Sequence, residues 1–383
     1  MNMATKNDIF REFLQEYLQA DKKKKGVILT HVSAVTKMHT KSVIRRFKVL
    51  QCKDTRLREK RGRPLYYTPD VTAALKEIWD ISGELCGENL HPIVSEYVSI
   101  LERDKQWKHT DEATGKLLSM SMGTMKERVG RFEKTLLSFG GKSTTKPSTL
   151  HAMIPVRMDG WDEAPVGTLQ IDSVAHCGAS AVGDFIYTVN ATDTATLWGE
   201  RRAQWNKGQQ ATKHSMENME ALFPTAVCEW HPDSGSEFIN YYVLERFSGK
   251  LTRSRPYHKN DNCFVEERNG HVVRKWIGFS RFDVYEMVDV INAVYDVLTP
   301  FLNHFVPVRR IVTKERIGAR WVVQREKVAK TPYQRMLERD DLSMSVKQKL
   351  RTEHKKLNPL VLRKAIDKRL TNVFTMKKQH GSK

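Results

Sequence analysis

Three acidic residues stand where the surrounding pattern gives a carboxylate a task. Asp172 interrupts the alternating run GTLQIDSVAH, Asp233 follows the apolar segment TAVCEW in the tight sequence HPDSGSEF, and Glu266 lies early in a helical stretch within NDNCFVEERNGHVVRKW. A charge inside an apolar strand costs free energy unless it is paired or metal-bound. Carboxylates on a strand, at a strand end and on a helix can converge although they are far apart in sequence, and they are hard oxygen ligands for Mg2+ or Mn2+. Two such ions about 3.5 to 4 Å apart suit in-line displacement at a phosphodiester, by activating the attacking oxygen and stabilising the leaving one. Taken singly, Asp233 also fits a turn or capping residue and Glu266 an exposed helical charge. Glu267 is a rival third ligand, and Asp261 a remoter one.

The elements that must position these acids follow from periodicity. GTLQIDSVAH, DFIYTVNATD and TATLWGE read as three strands in series, KGQQATKHSMENMEALFP as a helix, TAVCEW as a buried strand and SEFINYYVLERF as a helix. Strands in series followed by strand and helix alternation predict a mixed sheet flanked by helices. Trp198 reads as core packing rather than a base-stacking platform.

Upstream the chain is helical. Residues 8 to 20 form an amphipathic helix, and VILTHVSAVTKMHTKSVIRRFKVLQ reads as helix, turn and a second helix capped by Thr40. Val43, Ile44, Phe47 and Leu50 supply its buried stripe. Lys41, Arg45 and Arg46 are the candidate DNA contacts of a helix-turn-helix, with a plain helical hairpin as the alternative. In Lys60-Arg61-Gly62-Arg63-Pro64, Arg61 and Arg63 flank a glycine as in minor-groove arms, or belong to an exposed basic linker. Pro69 after Thr68 starts further helices, and TDEATGKLLSMSMGTMKERVGRF is a second helix-turn-helix candidate, capped by Ser121 and offering Lys126 and Arg128 to DNA. FGGKSTTKPST is a linker.

The charge balance points the same way. A net charge of +19 on 64 Lys and Arg calls for a polyanionic partner, with nucleic acid foremost. Residues 21 to 64 carry 15 Lys/Arg against 3 Asp/Glu, and residues 309 to 383 carry 22 against 7. Five dispersed cysteines without a CxxC pair exclude a disulfide framework and a cysteine zinc site, and they read as reduced and mostly buried. No signal peptide or membrane-spanning run is evident, so a cytoplasmic, nucleoid-associated protein is expected. The absence of a P-loop motif argues against a nucleotide cofactor.

QIDSV, TATLW, HPDSGSEFIN, SRPYHKNDNCFVEERNG, NHFVPVRR and TPYQRML together resemble the integrase superfamily shared by retroviral integrases and bacterial insertion-sequence transposases. The likeness covers roughly residues 167 to 337. It implies a ribonuclease-H-like DDE core in which the family's two aspartates fall on Asp172 and Asp233 and its glutamate on Glu266, where Val265 matches the family's preceding apolar position. Only 32 residues separate Asp233 from Glu266, a few fewer than in retroviral integrases, and the histidine and cysteine zinc module of those enzymes is absent. His258, Lys259 and Asn262 form a polar, basic approach to the glutamate.

The expected organisation is therefore multidomain: a helix-turn-helix region over 1–66, a second helical DNA-binding region over 67–138, a linker over 139–160 and the α/β catalytic core over 161–299. A small β-barrel over 300–343 and a basic helical tail over 344–383 complete it. The resemblance implies two metal ions per site, element-end and target double-stranded DNA as partners, a dimer or larger assembly on DNA, and cleavage followed by joining. A nuclease that cuts without joining and a DNA-binding regulator with a dead core are the alternatives.

Overall fold

The computed structural model describes residues 3–51, 66–133, 154–157, 161, 164–233, 235–253, 262–317 and 320–380. Arg61, Arg63, His258, Lys259 and Asp261 lie outside them, as does nearly all of the 139–160 linker. The chain divides into two compact units, Met1–Tyr66 and Tyr67–Lys383.

The first unit is three helices, α1 (Met3–Gln19), α2 (Lys22–Thr36) and α3 (Thr40–Gln51). The Asp21 side chain caps α2 by accepting from the Lys24 amide at 2.7 Å, and Lys37 ends it in the left-handed region at φ 53°. Phe10, Ile28, Val32, Val43 and Phe47 form the core, with Phe10 edge-on to Phe47 and Tyr17 stacked on it. Each such side chain contributes roughly 1.5 to 3 kcal/mol by leaving water. Two local expectations change: Ile44 is exposed, and Thr40 lies inside α3, whose first turn is instead accepted by the His39 carbonyl.

In the second unit, α4 (Pro69–Ile81), α5 (Gly87–Leu90), α6 (Val94–Arg103), α7 (Asp111–Leu118) and α8 (Met122–Glu133) precede the sheet. Then come β1 (Thr168–Ala175), β2 (Ile186–Asp193), β3 (Gly199–Trp205), α9 (Gln209–Leu222), β4 (Glu229–Pro232) and α10 (Tyr241–Phe247). They are followed by α11 (Cys263–Arg268), a π-helical turn over Asn269–Arg274, α12 (Lys275–Ile277) and α13 (Met287–Phe305). The chain continues through β5 (Ile311–Ile317), β6 (Arg320–Arg325), α14 (Pro332–Glu338), α15 (Met344–Lys356) and α16 (Pro359–His380).

The sheet is mixed, as the sequence predicts, in the order β3-β2-β1-β4 with the first three antiparallel and β4 parallel to β1. Its two faces serve two cores. Leu169, Ile171, Val189 and Ala191 pack with α9 and α10, whereas Val174, Ile186 and Ala203 join a cluster built from α4 to α8, α13 and α16. Both borders are covered. Asn292 and Asn303 on α13 each donate to and accept from the β3 backbone, at Ala203 and Gly199, over 2.8 to 3.0 Å. On the other border, the Thr252 amide donates to the Trp230 carbonyl at 3.0 Å, and residues 154–157 run beside Arg253. Covering edge strands in this way removes free backbone groups that would otherwise recruit other strands.

Three expectations are corrected. TATLWGE is mostly a turn rather than a strand, because the buried Asp193 carboxylate accepts from the Thr196 amide and hydroxyl at 2.8 and 2.6 Å and from the Gly167 amide at 2.9 Å. The segment 300–343 is the end of α13, the β5–β6 hairpin and α14, with no closed barrel among the described residues. Two strands cannot close on themselves, and Val312, Val322 and Val323 stay exposed. Cys177 is buried, but Cys86, Cys228 and Cys263 are exposed. Among the described residues no helix is long and apolar enough to cross a membrane.

Candidate active site

Parallel pairing of β1 with β4 ends at Ile171 opposite Pro232, and the next residue on each strand is a carboxylate: Asp172 and Asp233. Helix α11 brings the third acid. Its first amides, from Phe264 and Val265, donate to the Gln170 side chain at 2.9 and 3.2 Å, and Asn262 donates to the Ile171 carbonyl at 3.5 Å. The helix carrying Glu266 is thereby anchored to β1 two residues before Asp172.

The electrostatics report the crowding. Burial pushes the Asp172 carboxyl up to about 6, opposed by hydrogen bonds from the Ser173 amide and Asn269, and reinforced by the charges of Glu237 and Glu266. Asp233 is pushed up to about 7 by burial first, then by Asp172 and Glu237, with the Gly235 amide and Lys207 pulling the other way. Asp172 thus senses Glu237 and Glu266, and Asp233 senses Asp172 and Glu237. Glu267 instead pairs with Arg325 at 3.4 Å. Among the described residues, no three His, Cys, Asp or Glu side chains already form a ready metal cage.

Several positioning residues escape a reading of sequence alone. Glu237, 3% exposed, accepts from the Ser173 hydroxyl at 2.8 Å and from Lys207 at 2.6 Å. Asn269 donates to Asp172 and accepts from Asn190 at 2.9 Å. The available signal is nearness in sequence: Asn269 stands one helical turn after Glu266, and Glu237 four residues after Asp233 in the turns that precede α10. A Cβ on Gly235 would meet Glu237 Oε2 at 2.6 Å and Asp233 Oδ1 at 2.8 Å, so any larger residue there displaces these two carboxylate tips. Trp198 is buried, with its indole donating to Glu200.

The expected DNA contacts fall in different settings. Lys41 and Arg45 are exposed on α3, whereas Arg46 donates to Asn7 on α1. Lys126 pairs with Glu88, and its backbone packs so closely on Gly87 that a Cβ there would lie 2.5 Å from the Lys126 Cα. Arg128 donates to Thr72 at 2.9 Å and lies over the Tyr67 ring. Asn262 is buried, and its Oδ1 has no hydrogen-bond partner.

No model of a known protein family matches the chain. It is 31% identical over 326 residues to the uncharacterized protein y4rM of Sinorhizobium fredii (strain NBRC 101917 / NGR234), covering 84% of this chain and 92% of that protein. Among solved structures, a chain in the cryo-EM structure of the simian T-cell lymphotropic virus intasome in complex with PP2A regulatory subunit B56 gamma aligns at 14% identity with a TM-score of 0.30. The match covers 44% of this chain and 58% of that one, a likeness too slight to carry an argument.

Proposed function

The chain belongs to the family of that rhizobial protein, and we propose that it is a metal-dependent DNA transposase or integrase with a ribonuclease-H-like DDE core. The observation that carries this reading is the placement of Asp172 and Asp233 side by side at the ends of two parallel neighbours, with Glu266 on a helix anchored to the same strand. The strand order β3-β2-β1-β4 supports the ribonuclease-H-like assignment, and the motifs around the three acids support the integrase superfamily.

Two carboxylates raised first by burial and then by their acidic neighbours are a donor set that divalent cations relieve. Asp172, Asp233 and Glu266 would hold Mg2+ or Mn2+, two ions per site, and when bound these supply positive charge to the attacking and leaving oxygens. The chain's own residues set the geometry. Asn269 fixes the Asp172 carboxylate, Gln170 fixes the start of α11, and Lys207 neutralises Glu237 beside Asp233.

The reaction is phosphoryl transfer on double-stranded DNA. Water attacks phosphorus at an element end, a new P–O bond forms as the bond to the 3′ oxygen breaks, and that oxygen leaves as a 3′ hydroxyl. The freed hydroxyl then attacks a target phosphodiester, joining the element without a covalent enzyme intermediate or a nucleotide cofactor. Two ends handled together require two or more copies on DNA, with Lys41 and Arg45 among the residues contacting the ends.

Magnesium-dependent cleavage of labelled DNA from the flanks of the gene tests this reading, using wild type and Asp233→Asn. Cutting and joining by wild type, with neither in the variant, is expected. Cutting without joining would make the protein a nuclease, and DNA binding by both proteins with no cutting by either would make it a regulator.

A further inference from the structure

The main sheet is covered along both borders, but the β5–β6 hairpin is not. Its base is firm: Arg335 donates to both carboxylate oxygens of Glu326, the Arg310 amide donates to the same carboxylate at 2.9 Å, and Val308 bridges to Lys330. From that base the two strands run out with Val322 and Val323 of β6 42% and 41% exposed. Two strands with no third are marginal on their own.

One hydrogen bond shows which backbone groups lie on the open edge of β6. The Glu326 amide donates to the Arg310 carbonyl at 2.9 Å, towards β5. Backbone groups alternate sides along an antiparallel strand, so those of Gln324 and Val322 also turn towards β5, and those of Arg325, Val323 and Trp321 turn away from it. Among the described residues these outward amides and carbonyls have no hydrogen-bond partner. An edge in this state is a template for another strand.

The sequence of β6 fits its own antiparallel image. Paired about a two-fold axis at Val323, outward residues oppose outward residues: Val323 meets Val323 of a second copy, and Trp321 meets Arg325. Val322 then meets Gln324, and Arg320 meets Glu326. No like charges are opposed, the central pair is apolar and the outermost pair is of opposite sign, which is what cross-strand pairing favours. DNA is the rival for so basic a ribbon. Its phosphates accept hydrogen bonds but donate none, so they leave the outward carbonyls unpaired.

We propose that β6 is a self-association edge, through which two copies of this chain join their hairpins antiparallel into one four-stranded ribbon with Val323 on the two-fold axis. So short a strand pair falls short of the roughly 1,200 Å2 of a stable interface, and it adds to whatever else holds two copies together. The pairing needs neither metal nor cleavage, so its test is separate from that of the proposed reaction.

The full chain, carrying one added cysteine, is oxidised mildly without metal, and linked peptides are identified by mass. Opposed Cα atoms in such a pair lie about 5.5 Å apart, within the span of a disulfide. Val323→Cys is expected to link to itself at several times the yield of Val322→Cys, which is equally exposed but offset from its own copy and out of reach. Adding Arg320→Glu to Val323→Cys opposes two acids and is expected to lower the yield severalfold, whereas Arg320→Lys preserves it. Equal links at 322 and 323, or a yield at 323 indifferent to Arg320→Glu, overturn the proposal. So does protection of the thiol at 323 from alkylation by duplex DNA without any link, which assigns the edge to DNA.

Discussion

Asn269 donates from Nδ2 to Asp172 Oδ2 at 2.7 Å across 97 residues of sequence, from the turn of helix that follows Glu266. The same amide accepts from Asn190, whose Cα partner across the sheet is Asp172. The contact ties the acid of the strand to the helix that carries the acid of the third position. Replacing Asn269 by alanine is expected to free the Asp172 carboxylate and weaken Mn2+ binding by about tenfold or more, the usual scale for a group that orients a ligand. Calorimetric titration of Mn2+ checks this, and equal affinity in the two proteins would remove Asn269 from the site.

Raised carboxyl values also fix how stability responds to pH. In the folded chain Asp172 and Asp233 hold their protons to about 6 and about 7, against 3.8 ordinarily. Their contribution is greatest below the unfolded value and is lost as pH rises through the folded values. Metal-free protein should therefore lose stability between about pH 4 and pH 7, by up to about 7 kcal/mol for the two shifts together. Asp233→Asn should flatten that slope and be the more stable protein at pH 7.5, while Mg2+ should stabilise wild type more at pH 7.5 than at pH 5. Urea melts across this range decide it, and a parallel pH dependence in wild type and variant would contradict the assignment.

Glu237 is buried with Lys207 as its cationic partner. Removing one charge strands the other, so Glu237→Gln should cost about 2 to 3 kcal/mol in urea unfolding at pH 7. Adding Lys207→Met should recover part of that loss. Independent, additive costs would show that the two residues are not coupled.

On α3, Arg45 and Arg46 divide their roles. Arg45 is exposed, whereas Arg46 reaches Asn7 on the first helix. Arg45→Ala should leave the melting temperature unchanged and reduce the salt slope of DNA binding by about 1, as for one lost phosphate contact. Arg46→Ala should lower the melting temperature as well. Filter binding over a salt series reads the first effect, and an unchanged slope for Arg45→Ala would take this helix out of the interface.

Asn303 is fully buried and satisfies both backbone groups of Gly199. Asn303→Ala should cost about 1 to 3 kcal/mol by leaving those groups unpaired, and more than Asn292→Ala, whose site is only partly buried. Thermal unfolding of the two variants gives the ranking, and the opposite order would refute it.

What sequence could reveal depended on range. The alternation around Asp172, the apolar run before Asp233 and the helical stretch containing Glu266 are local patterns, and each acid falls in the kind of element that its pattern predicts. Strand β3 was misplaced because its charges are hidden: Glu200 accepts from Trp198, and Arg201 donates to Thr299, 98 residues away. Periodicity reads such residues as solvent-facing. Glu237 and Asn269 meet Ser173 and Asp172 only through tertiary contacts 64 and 97 residues apart in sequence, so closeness to Asp233 and Glu266 along the chain hints at a shared site but not at what they touch. The basic helical tail is a further case of packing that composition does not show. Its run of lysines and arginines gives no sign that Ile366 and Val373 of α16 are buried in the core shared with α13.

Among the described residues, the two asparagines along β3, together with the chain running beside β4, leave the main sheet without a vacant border. A second copy cannot lengthen it strand by strand, and a ladder of copies cannot propagate from either rim. Contact between copies is then left to helical and loop surfaces or to the small β5–β6 hairpin, so the main sheet does not fix their spacing at the 4.7–4.9 Å or so of strand pairing.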